Sequence, residues 1–173
     1  RAKGKLIALQ EQLTKISRSG EAHVGLGHTR WATHGRPSEE NAHPHTAGRV
    51  SLIHNGIVEN YVELREELTK EGAVFTSETD TEIAAHLFNR ELASGKEPLD
   101  AFRCTCNRLR GSFAILALDA EDPHHIFVAK TATPIVIGLG EGENFVASDI
   151  PAVLPHTRRV IILEDGDIAV VSK

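Results

Sequence analysis

Residues 111–147 read GSFAILALDAEDPHHIFVAKTATPIVIGLGEGENFVA, and this stretch decides the fold class. Residues 112–118, 125–130, 135–139 and 144–147 are short runs rich in β-branched and aromatic side chains. Turn-forming groups such as Asp122-Pro123 and Gly140-Glu141-Gly142 separate them. Two further runs, 159–163 and 167–171, flank Glu164-Asp165-Gly166, so the C-terminal third is expected to be a β-meander. Upstream the period changes. Leu6, Leu9, Leu13 and Ile16 fall at helical spacing within residues 5–16, and residues 59–71 form a second helix stopped by Gly72. Helices over 82–93 and 99–109 follow, the first of them capped by Thr79 or Asp80. His23 to Thr33, Val50 to His54 and Ala73 to Phe75 read as strands, the second ending at an Asn55-Gly56 turn. Strands, then helices, then a run of strands indicate α+β rather than alternating βαβ units.

A chain of 173 residues fits one domain, and 40% hydrophobic with 25% charged residues is the balance of a globular protein. The net charge of −5 and pI near 6.1 offer phosphates no basic footprint, so no nucleic-acid partner is expected. The cluster Arg103, Arg108, Arg110 reads as a solvated helix end. No apolar run approaches the roughly 18 residues of a membrane span, and no membrane partner is expected. Cys104 and Cys106, two positions apart in a helical stretch, point to different faces and suit neither a disulfide nor a metal. They read as buried small hydrophobes in a reducing, cytoplasmic compartment.

Function concentrates in residues 28–56, HTRWATHGRPSEENAHPHTAGRVSLIHNG. This block holds five histidines, the only tryptophan, Trp31, and the Asn55-Gly56 pair; residues 34–49 read as a long structured loop. His34, His43, His45 and His54 are the residues from which a zinc site could be built. His-Pro-His on a loop is a weak signal and no ligand pattern repeats, so neither metal nor cofactor is expected. His45 and His54 are read instead as bonding loop backbone. A side-chain amide beside an exposed glycine N–H can form an oxyanion hole, which makes Asn55 and Gly56 candidates. Arg30 is suited to a carboxylate in bidentate fashion and Asp80 to an amino group, a pairing that a free α-amino acid requires.

The strings His28–Gly35, Asn41–His45, His54–Gly56 and Thr79–Glu82 closely resemble class II glutamine amidotransferases, those with an N-terminal cysteine nucleophile. Within that family the likeness is greatest to the branch that aminates fructose 6-phosphate, and it covers essentially the whole chain. Trp31 and the Asn41–His45 string set it apart from the amidophosphoribosyltransferase branch. The resemblance implies the N-terminal-nucleophile hydrolase fold: a four-layer αββα sandwich with antiparallel sheets. It also implies L-glutamine as ligand, with Arg30, Thr33 and His34 on its carboxylate and Asp80 on its ammonium. Asn55 and Gly56 would form the oxyanion hole, Trp31 would lie over the site and gate ammonia, and His43 would stand nearby. Neither Cys104 nor Cys106 matches the family's nucleophile. The chain is therefore expected to be an amidotransferase domain over 1–173 lacking its first strands. Alone it would bind glutamine without hydrolysing it, as a glutamine-binding module does. A sugar isomerase domain is expected downstream, and an unpaired sheet edge should favour homo-oligomers.

Overall fold

A computed structural model of the chain describes residues 1–15, 22–31 and 35–173. The expected roles of Thr33 and His34 and the Ile16 contribution to the first helix lie outside the described residues. The chain order is α1 (Leu6–Lys15), β1 (His45–Ala47), β2 (Val50–Val58), α2 (Tyr61–Lys70), α3 (Thr81–Ala93), α4 (Pro98–Arg108), β3 (Gly111–Asp119) and β4 (Asp122–Thr131). It continues with β5 (Val136–Leu139), β6 (Asn144–Ala147), α5 (Ile150–Val153), β7 (Val160–Ile162) and β8 (Ile168–Val171). Two antiparallel sheets result, one ordered β1-β2-β3-β4-β8 and the other β6-β5-β7.

Side-chain alternation along β3 and β4 explains why the sheets stack. Phe113, Ile115, Ala117, Phe127 and Ala129 face a core completed by α2, α3 and α4. Ala114, Leu116, Ile126 and Val128 face the opposite way and meet Ile137, Leu139, Val146 and Leu163 from around the small sheet. Both faces of the central strands are buried, so these runs are continuously apolar instead of alternating with polar residues. At the centre of the larger core Phe88, Phe102 and Phe127 pack with ring centroids 5.2–5.7 Å apart. α5 packs on β6, which completes the layer order helix, sheet, sheet, helix of the expected α+β sandwich.

Several expectations need correction. β2 does not end at Asn55-Gly56: it runs on to Val58, with Asn55 opposite Ala114 and Gly56 opposite Phe113. Gly56 has φ +115°, and a Cβ there would collide with the Ser112 carbonyl oxygen, so glycine permits a distorted strand rather than a turn. The loop before β2 is shorter than expected because His45–Ala47 pairs with it as an edge strand. Ala73–Phe75 is not a strand: Ala73 N–H donates to Leu68 O and Thr76 N–H to the Glu82 carboxylate. Asp122-Pro123 opens β4, and the turn falls on Ala120-Glu121. Residues 22–31 show the alternation of a strand, with Val24, Leu26, His28 and Arg30 half-buried between exposed neighbours. They form no ladder among the described residues. Helix α1 is present but buries none of its residues.

Candidate functional site

The site forms where the 22–31 segment, the β2 end and the α3 start converge. A cavity of about 270 Å³ is bordered there by Arg30, Trp31, His43, Asn55, Gly56 and Asp80 among others. Six of the eight candidate residues thus share one pocket.

Asp80 sits at the N-terminus of α3, but its side chain does not cap that helix. Its Oδ2 accepts a 2.8 Å bond from Val58 N–H, crossing from α3 to the end of β2. That bond pins the carboxylate, only 3% exposed, to the pocket wall. Arg30 donates from Nη2 to Gly35 O at 3.0 Å and from Nη1 to Arg36 O at 3.4 Å, which anchors the guanidinium at the rim. A fixed cation and a fixed anion therefore border one small cavity, the charge pattern that complements a zwitterion.

The loop carrying Arg36 is held by Asn41, which is buried. Its Nδ2 donates to Arg36 O at 3.0 Å and to Glu78 Oε2 at 3.1 Å, while its Oδ1 accepts from Glu78 N–H at 2.9 Å. Trp31 lies at the mouth of the pocket and is 90% exposed.

The histidines do not behave as simple loop supports. His43 Nε2 and His54 Nδ1 both lie 3.1 Å from Thr81 Oγ1, and His45 Nε2 lies 3.0 Å from Thr79 Oγ1. The expected bonding to loop backbone holds for His45, which bonds the Asn41 backbone, and hydroxyls at the α3 start add contacts to His43, His45 and His54. Burial, reinforced by neighbouring His28, pushes His43 down to about 2, and burial with Arg1 nearby pushes His45 down to about 4. Both imidazoles are neutral at pH 7, and Arg30 brings a guanidinium to the pocket.

Thr79, Thr81, Glu82 and His28 fall within the strings that carry the resemblance, but sequence reasoning gave none of them a place in the site. Glu82 is 1% exposed, and it accepts from Thr76 N–H and Oγ1–H and from Ser77 N–H and Oγ–H at 2.7–2.8 Å. Burial works to raise its pKa, but the bonds from Ser77 and Thr76 outweigh it and hold the carboxyl below its ordinary range. The Thr79-x-x-Glu82 spacing of a capping box was its available signal. His28 Nε2 lies 2.9 Å from Asn55 Oδ1, a contact across 27 residues that no local pattern announces. Neither cysteine borders the pocket; both lie on α4, and burial raises the Cys106 thiol to about 12.

Comparison with known proteins gives a consistent picture. Residues 28–155 match the family described as "Glutamine amidotransferase domain". The chain is 49% identical over 172 residues to the glutamine–fructose-6-phosphate aminotransferase [isomerizing] of Pyrococcus horikoshii, covering 98% of this chain and 28% of that protein. It is 53% identical over 171 residues to the protein of the same name from Symbiobacterium thermophilum, covering 96% of this chain and 27% of the relative. The chain therefore spans just over a quarter of the length of these curated relatives. Among solved structures, glutamine phosphoribosylpyrophosphate amidotransferase from B. subtilis superposes with TM-score 0.69 at 25% identity, covering 84% of this chain and 32% of that one. A structure titled as the allosteric regulatory enzyme of purine biosynthesis matches with TM-score 0.66 at 25% identity, covering 77% and 30%.

Proposed function

Because the chain belongs to the glutamine amidotransferase domain family, we propose that its pocket binds L-glutamine and orients the side-chain amide for hydrolysis to glutamate and ammonia. The observation that carries this reading is the joint presence of Arg30, Asp80, Asn55 and Gly56 on one cavity of about 270 Å³. Arg30 takes the α-carboxylate and Asp80 the α-ammonium. With both ends of the amino acid fixed, the side chain extends toward Asn55 and Gly56. His43 supports that wall through Thr81.

In the chemical step a thiolate attacks the amide carbon, and the carbonyl π electrons move to oxygen. Asn55 Nδ2–H and Gly56 N–H donate to that oxyanion, the arrangement in which fixed donors are most effective. Collapse breaks the C–N bond, the nitrogen takes up a proton and leaves as ammonia, and water then hydrolyses the thioester to glutamate. The thiol is not one of this chain's own: neither Cys104 nor Cys106 borders the pocket. We assign the attack to an N-terminal cysteine of the whole protein. The 173-residue polypeptide by itself then binds glutamine without turnover. By likeness to relatives named glutamine–fructose-6-phosphate aminotransferase, the ammonia is passed to fructose 6-phosphate on a sugar isomerase domain of the same protein.

Calorimetric titration with glutamine tests the binding step. Charged hydrogen bonds contribute about 1.5–3 kcal/mol each, so Arg30→Ala should weaken binding at least about tenfold. Equal affinities for wild type and Arg30→Ala would overturn the assignment. Ammonia release by the 173-residue chain, abolished by a thiol-directed inhibitor, would overturn the assignment of the nucleophile.

A further inference from the structure

An asparagine amide is a donor at one end and an acceptor at the other, and only the donor end stabilises an oxyanion. The backbone of Asn55 is fixed by pairing with Ala114 in the β2–β3 ladder, so rotation of its amide is the freedom that decides what the pocket sees. Asn55 Oδ1 lies 2.9 Å from His28 Nε2, and among the described residues no protein group takes Asn55 Nδ2.

Two arrangements are compatible with such a contact. In one, His28 Nε2–H donates to Oδ1 and the amide NH₂ turns to the pocket. In the other, Nδ2–H donates to an Nε2 lone pair, and a carbonyl oxygen turns to the pocket, where it repels a developing oxyanion. We propose that His28 is a positioning residue whose Nε2–H tautomer fixes the Asn55 amide with its NH₂ toward the substrate, and so gives the oxyanion hole its polarity. This rests on the reading of the pocket as a site of glutamine hydrolysis.

Three observations favour that tautomer and a fixed ring. His28 Nδ1 is buried with no partner of hydrogen-bond geometry among the described residues, whereas Nε2 lies 2.9 Å from Asn55 Oδ1, which favours the single proton of a neutral ring at Nε2; the His54 backbone also bonds the ring and favours its protonated nitrogen. Burial also keeps His28 below its ordinary pKa, which favours the singly protonated ring. The ring is held in place by His43, with centroids 4.0 Å apart, and His43 is itself bonded through Nε2 to Thr81 Oγ1 at 3.1 Å. The α3 start therefore reaches the oxyanion hole through two imidazoles.

Gln and Glu have the same shape, but an ionised carboxylate can only accept, so the pair isolates the donor. In the whole protein, with its nucleophile, His28→Glu should lower kcat for glutamine hydrolysis about 100-fold, the effect of losing one oxyanion donor. Its KM should stay within about threefold, because the lost interaction belongs to the transition state. His28→Gln, which still offers Asn55 Oδ1 a donor, should keep kcat within about tenfold of wild type. Equal losses in both variants, or a raised KM with unchanged kcat, would overturn the proposal. Long-range ¹⁵N–¹H correlation spectra of the histidine-labelled wild-type protein give a test independent of either variant's folding. A His28 ring protonated on Nε2 supports the assignment, and one protonated on Nδ1 overturns it. Failure of the wild-type protein to bind glutamine would instead remove the functional reading, leaving the tautomer measurable by itself.

Discussion

Trp31 is the single tryptophan of the chain, and at 90% exposure it places an indole in water at the mouth of the pocket. The indole borders the cavity, so whatever enters there meets it. Closure over bound glutamine would desolvate the indole. Saturating glutamine should therefore shift the intrinsic emission to the blue, and with one tryptophan the signal has a single source. The same concentration added to Asp80→Asn should leave the spectrum unchanged; a shift equal to wild type in that variant would detach Trp31 from the site. The residue types at the pocket were readable in advance: Arg30 with Asp80 suits the two charged ends of an amino acid, and Asn55 with Gly56 offers donors of the kind an oxyanion needs. The pairing of His28 with Asn55 was not, because it depends on how the 22–31 segment lies against β2, a relation set by tertiary packing.

At the scale of elements, the turn before α3 carries the site, and Glu82 carries the turn. Its four bonds satisfy the backbone of Thr76 and Ser77, whose hydroxyl leads on to Thr79 and His45. Another ionic group, Arg90, joins α2 and α3 through Glu67, Glu71 and Glu91, and Glu67 also binds Arg108 of α4. Exposure decides which matters more. Arg90 and its partners are partly solvated, with side chains 13–48% exposed, and such ion pairs contribute about 0–1 kcal/mol each. Removing Glu82 strands buried N–H groups, at about 1–3 kcal/mol apiece. Glu82→Ala should thus lower stability in urea titration by several times the loss in Arg90→Ala, and should also weaken glutamine binding by releasing Asp80. Comparable losses in both variants would place the turn's stability elsewhere. Helix α3 itself was legible from its period and the Thr79–Glu82 string. The direction of Glu82 was not, since a capping-box reading turns it toward the helix start and the fold turns it back onto residues 76 and 77. The end of the 59–71 helix was also legible: Gly72 has φ +96°, and its N–H bonds Thr69 O at 3.0 Å.

At the scale of the whole molecule, the two stacked sheets were foreshadowed by runs apolar at every position, since only strands buried on both faces need them. β1 escaped notice because His45-Thr46-Ala47 has no strand composition and owes its pairing to β2. The same β1 brings His45 into the interior beside His43, and that burial gives the fold a pH dependence. Both folded-state values, about 2 for His43 and about 4 for His45, lie below the ordinary 6.5. The unfolded chain thus binds protons that the folded chain excludes. The stability these groups contribute is complete above about pH 6.5 and is lost as pH falls. Between about pH 5.5 and 4.5 unfolding takes up nearly two protons at these sites, a slope of about 2.4 kcal/mol per pH unit. His28 and His86, also lowered by burial, add in the same sense. Glu82, held below its ordinary range, extends the loss as pH falls through the carboxylate range. Urea titrations at pH 7.5, 5.5 and 4.5 should show little change near neutrality and a steep fall below. His43→Gln should flatten the acid limb by about one proton, roughly 1.4 kcal/mol per pH unit. An unaltered slope in that variant would mean that His43 is protonated in the folded state, which its place between His28, His45 and Thr81 argues against.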